Sequence, residues 1–99
     1  MQWLDKLIDF LCEILEVLDG DCSELIGDAS DPEVVIDAIE EQYDPNSPPQ
    51  PADNAEKGQW CGLFAATESH LDLPENSLSP AYDTKIRQMI NSLQSDVGC

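Results

Sequence analysis

Apolar side chains recur every three or four positions over the first 18 residues, which is the period of a helix with one buried side. This apolar row is Leu4, Leu7, Ile8, Leu11, Ile14, Leu15 and Leu18. A second row, spaced by seven, consists of Trp3, Phe10 and Val17, and it makes the buried arc wider than a one-sided surface helix needs. The pattern predicts a helix over residues 2–18 that either lies at the centre of a bundle or also pairs with a second chain. We expect Gly20 to end it as a left-handed cap.

Cap signals place a second and a last helix. Asp31 before Pro32 predicts a helix from residue 32 to about 43, whose inward face is Val35, Ile39 and Tyr43, with Val34 and Ala38 alongside. Ser79 before Pro80 predicts another, through about residue 94. Its inward residues are Tyr82, Ile86, Met89, Ile90 and Leu93. A single helical turn over residues 22–27 is also expected.

The middle of the chain contains a proline-rich stretch followed by a third helical pattern. Four prolines fall between residues 45 and 51, which forbids a regular helix and indicates a connector over residues 45–58. We favour a passive linker over a docking site for proline-reading domains. Residues 59–71 then carry Trp60, Leu63, Phe64, Thr67 and Leu71 at helical spacing, and residues 95–99 are expected to fray. The sequence predicts one all-α domain over residues 1–99, a small bundle of three to four short helices.

Acidic residues outnumber basic ones by 21 to 4, and the formal net charge is −17. Residues 1–44 hold 14 of the acids and only Lys6 as a base, which leaves residues 45–99 with 7 acids and 3 bases. Such a field repels nucleic acid and anionic membranes and attracts basic protein surfaces. The competing explanation is that the charge only keeps a small protein soluble or suits a high-salt habitat.

Four cysteines, Cys12, Cys22, Cys61 and Cys99, show no paired C-x-x-C spacing, so a structural zinc site is not expected. Acidic residues interrupt the first apolar run, which therefore does not match a signal peptide or a membrane span. These observations predict a cytoplasmic protein with reduced cysteines and no membrane association.

Catalytic and metal-binding patterns are weak. Cys61 and the single histidine, His70, are nine residues apart, about 13 Å along a helix, which is too far for a nucleophile and base. We expect a buried thiol and a surface imidazole. The segment from Asp19 opens like a calcium loop, but Glu24 and Ser30 stand where that loop needs glycine and a bidentate carboxylate. The chain is therefore not expected to be an enzyme, to bind a metal or to need a cofactor.

The acidic residues of the first half form the one constellation that stands above background. Those predicted to bind a partner are Asp5, Asp9, Glu13, Glu16, Asp19, Asp21, Glu24 and Asp28. The leading hypothesis is a small interaction module that binds a basic surface of a partner protein, as inhibitors, immunity proteins and nucleic-acid mimics do. The alternative is an assembly subunit whose oligomer face, Trp3, Phe10 and Val17, joins helices in a homodimer or a larger complex.

Overall fold

The computed structural model describes residues 2–22 and 31–99, and four helices account for most of them. They are α1 (Gln2–Val17), α2 (Pro32–Gln42), α3 (Asn54–Leu71) and α4 (Pro80–Val97), and neither described stretch contains a strand. The predicted all-α bundle is therefore confirmed. The single turn expected over residues 22–27 falls, after Cys22, outside the described residues, as do Glu24, Asp28 and Ser30.

The helices are arranged as a ring in which α1 and α4 each pack against α2 and α3. Side-chain contacts give their directions. Trp3 of α1 meets His70 of α3, and Arg87 of α4 meets Leu71 of α3, so α3 runs antiparallel to both neighbours. Tyr43, directly after α2, meets Asp96 near the end of α4, so α2 and α4 run in the same direction.

One end of the bundle therefore collects the C-termini of α1, α2 and α4 together with the N-terminus of α3. We call it the connector end, because the proline-rich segment between α2 and α3, residues 43–53, lies there. That segment joins two helices that are not direct neighbours in the described structure, since α2 and α3 lie across the ring from each other. A long connection is needed for such a diagonal step.

The core is formed by the apolar rows that the sequence predicted, with some additions. Its fully buried members include Leu7, Leu11, Ile14, Leu15, Val35, Ile36, Ile39, Phe64, Leu71, Ile86, Ile90 and Leu93. The face predicted for α2 is partly wrong, because Ile36 is fully buried while Val34 is half-buried. The reason is that α2 contacts both α1 and α4, which turns Ile36 inward.

Helix α3 begins five residues earlier than the predicted residue 59. Asp53 is its N-cap, and the Asp53 carboxylate accepts a hydrogen bond from the backbone N–H of Glu56 at 2.8 Å. Gly58, the last residue of the predicted connector, lies within this helix, and a Cβ added at this position would meet nothing within 4 Å. The predicted connector over residues 45–58 is therefore too long.

Helix α4 also continues beyond its predicted end. It runs to Val97, which is buried, and Gly98 ends it in the left-handed conformation with a φ of 85°. The prediction that residues 95–99 fray is wrong, because Val97 packs into the core and Cys99 is cross-linked to α3.

The end of α1 differs from the predicted glycine cap. Asp19, with a φ of 63°, is the left-handed residue there, and Gly20 is not. A Cβ on Gly20 would lie 2.5 Å from a methyl carbon of Leu15. Gly20 is therefore required for close packing of the turn on α1 and not for its own backbone conformation.

All four cysteines are paired in disulfides, which overturns the prediction of reduced cysteines. Cys12 is bonded to Cys22 with their Cα atoms 5.4 Å apart, and Cys61 is bonded to Cys99 with a Cα separation of 5.6 Å. The first bond ties α1 to the turn that follows it, and the second ties α3 to the end of α4. Both pairings depend on tertiary contacts, which the spacing of the cysteines does not reveal.

Candidate functional site: an acidic stripe and groove on helix α1

The acidic residues of α1 form a solvent-exposed row along the helix. Asp5, Asp9, Glu13 and Glu16 are all exposed and follow one another at intervals of three or four residues. This spacing puts neighbouring side chains roughly 5–6 Å apart and extends the row over about 16 Å of helix. Asp19, exposed just beyond α1, continues it. We call these five residues the acidic stripe.

Three residues of the predicted binding set lie outside the acidic stripe. Asp21 is exposed, whereas Glu24 and Asp28 fall among residues 23–30, outside the described part of the chain. The structure therefore brings five of the eight predicted residues into one surface and leaves the contribution of the loop as a prediction.

The bases whose ion pairs are seen lie on the opposite side of the molecule. Lys85 of α4 pairs with Asp37 at 3.4 Å and with Glu40 at 3.5 Å, both on α2. Arg87 pairs with Asp72 and Asp83 at 2.8 and 3.0 Å. Within residues 2–22 and 31–99, no carboxylate of the acidic stripe forms an ion pair.

These ion pairs favour the charged forms of both cations. Hydrogen bonds to Asp72 and then to Asp83 raise the pKa of Arg87 above its ordinary value. Loss of hydration lowers the pKa of Lys85, but the hydrogen bond to Asp37 and the charge of Glu40 outweigh it and raise the pKa overall. The positive charge of α4 is thus used to bind α4 to α2 and to the end of α3, and it does not offset the charge of α1.

The connector end carries further negative potential from the helices themselves. Helices α1, α2 and α4 have no basic residue in their last turns, so the partial negative charge of each C-terminus is not offset from within the helix. Lys57 lies near one of them, because a Cβ on Gly98 would be 3.4 Å from the Lys57 ammonium nitrogen.

A groove of about 660 Å³ opens at this end, between α1, the connector and the start of α3. Acidic and apolar side chains share its lining. The lining residues are Glu13, Glu16, Val17, Asp19, Pro49, Gln50, Glu56, Gln59, Trp60 and Leu63. We call it the acidic groove. It contains the second half of the acidic stripe and adds a half-buried tryptophan to it.

Sequence reasoning found only part of this groove. Glu13, Glu16 and Asp19 belong to the predicted binding set, whereas Trp60 is predicted only as part of a helical pattern and Pro49 as part of a passive linker. No pattern along the chain links residues 13–19 to residues 56–63, because their proximity arises from the packing of α1 on α3. The polar Gln59 next to Trp60 is the one local sign that this part of α3 reaches the surface.

At the other end of α1, His70 is buried and not on the surface as expected. Trp3 donates its indole N–H to the His70 carbonyl oxygen at 3.0 Å, and His70 Nε2 lies 2.8 Å from the Trp3 carbonyl oxygen. Because a carbonyl only accepts, Nε2 carries the proton in this contact. The two rings stack at 5.1 Å, and Phe10 meets the imidazole edge-on at 5.5 Å. His70 is therefore a structural link between α1 and α3.

These contacts also locate the predicted oligomer face. Trp3 has only 8% of its surface exposed and is part of the core, while Phe10 and Val17 are half-buried. The wide apolar arc of α1 is largely accounted for by packing within the chain. Whether Phe10 and Val17 also contact a second chain stays a prediction.

The remaining chemistry of the described residues is limited. The Cys61 sulfur is bonded to Cys99, so it is not a free thiol that could pair with His70. No group of three or more potential metal ligands is gathered within residues 2–22 and 31–99, and none of the helices described there is long and apolar enough to cross a membrane.

No known protein family, no characterised protein and no solved structure matches this chain.

Proposed function

We propose that this chain is a small interaction protein and not an enzyme, and that its acidic stripe binds a basic surface of a partner protein. One observation supports this above the others. The stripe carboxylates are exposed and form no ion pair with another described residue, whereas Lys85 and Arg87 are held by acids of other elements. The stripe is therefore an electrostatic surface that the rest of the described fold does not neutralise.

The energetic consequence of the spacing favours such a partner. Like charges three or four residues apart on a helix destabilise it by a few tenths of a kcal/mol per pair, so the three successive pairs from Asp5 to Glu16 cost about 1 kcal/mol together. A basic partner relieves this repulsion when it binds. The same charges accelerate association at low ionic strength, because long-range attraction steers the encounter.

Carboxylates in a row can replace the phosphates of a polyanion on a basic protein surface. We therefore propose that the partner is a protein whose basic surface otherwise binds a polyanion, so that this chain acts as an inhibitor, an immunity protein or a nucleic-acid mimic. Direct binding to nucleic acid or to an anionic membrane is disfavoured by repulsion.

The alternative of an assembly subunit receives less support from the geometry. Trp3, the largest residue of the proposed oligomer face, is engaged with His70 inside the chain.

As to location, the two disulfides favour an oxidising compartment over the cytoplasm, where thiols are kept reduced.

The test compares two variants with the same change of charge as baits for affinity capture from the native host. The stripe variant Asp9→Asn/Glu13→Gln and the control variant Glu41→Gln/Glu75→Gln each remove two exposed acids. We expect basic partners to be captured by the wild type and the control, lost with the stripe variant, and eluted by salt. Capture that is insensitive to salt or equal for both variants would contradict the proposal.

A further inference from the structure

We propose that the acidic groove binds an arginine side chain on a flexible basic segment of the partner, with the guanidinium placed between Trp60 and the carboxylates of Glu13 and Glu16. This inference rests on the proposed function and assigns its principal contact. The second half of the acidic stripe then contacts the arginine directly. Asp5 and Asp9, which do not line the groove, provide only long-range attraction.

The size and lining of the groove suit a side chain and not a flat protein surface. Its volume of about 660 Å³ is in the range of ligand clefts, and the groove is open to solvent. Trp60 and Leu63 from α3 face the same space as Val17 from α1 and Pro49 from the connector. An occupant must therefore offer apolar surface as well as charge.

Complementarity of charge makes that occupant a cation. Glu13, Glu16 and Asp19 line one side of the groove, Glu56 lines the other, and no base is among the lining residues. The C-terminus of α1 ends at the groove and adds its partial negative charge. A carboxylate-bearing or phosphate-bearing ligand would be repelled by these four carboxylates.

Among cations, guanidinium fits this mixture best. A small hydrated metal ion gains nothing from Trp60 or Leu63, and the described residues gather no group of metal ligands. Arginine is planar and weakly hydrated, stacks on aromatic faces, and donates in a fork that matches a carboxylate. Lysine has the charge but lacks both the stacking and the fork, so we expect arginine to be preferred.

The walls of the groove are held in place by the disulfides. Cys12 directly precedes Glu13 and is bonded to Cys22 beyond Asp19, so the acidic wall lies within a closed loop. Cys61 directly follows Trp60 and is bonded to Cys99, which fixes the aromatic wall to α4. A site fixed before binding loses less conformational entropy when it is occupied.

The experiment measures fluorescence anisotropy of a labelled peptide in which arginines alternate with glycine and serine, beside the same peptide with lysines. The two double variants Glu13→Gln/Glu16→Gln and Asp5→Asn/Asp9→Asn change the charge equally on the same helix. We expect the first to weaken binding of the arginine peptide by about tenfold or more and the second by less than about threefold. The lysine peptide should bind more weakly than the arginine peptide.

Substitutions on the other walls of the groove give a second test, which does not depend on whether the charge variants fold. Trp60→Leu preserves an apolar residue and should weaken binding by about tenfold through loss of stacking. Gln50→Lys places an ammonium in the groove from an exposed connector position and should abolish binding, whereas Ala52→Lys, outside the groove, should have little effect. Circular dichroism confirms that each variant is folded.

The outcomes separate this inference from the proposed function. Equal weakening by both double variants, with no effect of Trp60→Leu or Gln50→Lys, would overturn the groove as the site and leave the stripe as a general basic-surface binder. A wild-type chain that captures a basic partner but ignores the peptide would likewise overturn only this inference. If neither the peptide nor any basic protein binds at low salt, both proposals are wrong.

Discussion

The two disulfides make unequal contributions to stability, and the difference can be worked out from the loops they close. Cys61 and Cys99 are 38 residues apart, whereas Cys12 and Cys22 are only 10 apart. The chain-entropy relation then assigns a stabilisation of about 3.9 kcal/mol to the longer loop and about 2.8 kcal/mol to the shorter one. Small domains are stable by roughly 5–15 kcal/mol, so each loss is a large fraction of the total.

Urea unfolding followed by far-ultraviolet circular dichroism measures both contributions. We expect Cys61→Ala/Cys99→Ala to lower the free energy of unfolding by about 1 kcal/mol more than Cys12→Ala/Cys22→Ala does. Alanine avoids placing a hydroxyl at Cys22, which is buried. Four titratable thiols in the native protein, or a reduced wild type as stable as the oxidised one, would refute the pairing on which this reasoning depends.

Two further predictions concern glycines and pH. Gly62→Ala adds a methyl group to α3 in open space and should raise the free energy of unfolding by about 1 kcal/mol. Gly20→Ala should lower the free energy of unfolding, because the added methyl group collides with Leu15. A thermal melt of each variant measures both effects, and a stabilising Gly20→Ala would contradict the packing. The hydrogen bond of 2.6 Å from Tyr43 to Asp96, and then partial burial, raises the pKa of the Tyr43 phenol. Since the unfolded chain then loses this proton first, stability should fall as pH rises above about 10, and urea midpoints at several alkaline pH values should show a smaller fall for Tyr43→Phe; an identical fall in both would contradict the assignment.

The helix ends that could be predicted are those set by local chemistry. Asp31 caps the start of α2 before Pro32, and α4 starts at Pro80 after Ser79, whose side chain makes no capping hydrogen bond. Such signals act within a few residues. The start of α3 has an equally local cap, Asp53, but the prolines before it and Gly58 after it suggested a connector. These local signals conflict, and the sequence alone does not show which of them the folded chain follows.

Features that depend on contacts between helices could not be predicted. His70 is buried because it exchanges hydrogen bonds with Trp3, a residue 67 positions away. The Cys61–Cys99 disulfide and the groove have the same origin, since each joins segments brought together by the packing of helices. The acidic stripe, in contrast, lies on α1 and the residue just beyond it, so the sequence could locate it. That it forms no ion pair within residues 2–22 and 31–99 became visible only in the fold.

The position of the paired bases affects how negative charge is distributed over the surface. Lys85 and Arg87 pair with acids of α2 and with the end of α3, so they stabilise the contacts of α4. Such exposed pairs contribute modestly to stability, commonly under about 1 kcal/mol each. Their larger effect here is on the surface potential, because neither of them pairs with a carboxylate of α1.

The central claim is that α1 and the start of α3 bind a cationic partner, and a nuclear magnetic resonance titration tests it most directly. The arginine peptide is added to the uniformly ¹⁵N-labelled chain at low salt, and shifts of the backbone amides and of the two indole N–H groups are followed. We predict that shifts concentrate at Glu13, Glu16 and the Trp60 indole, that the Trp3 indole stays unchanged, and that all shifts diminish as salt is raised. Shifts that concentrate on α2 and α4, or that are spread evenly over all exposed acids, would contradict the account.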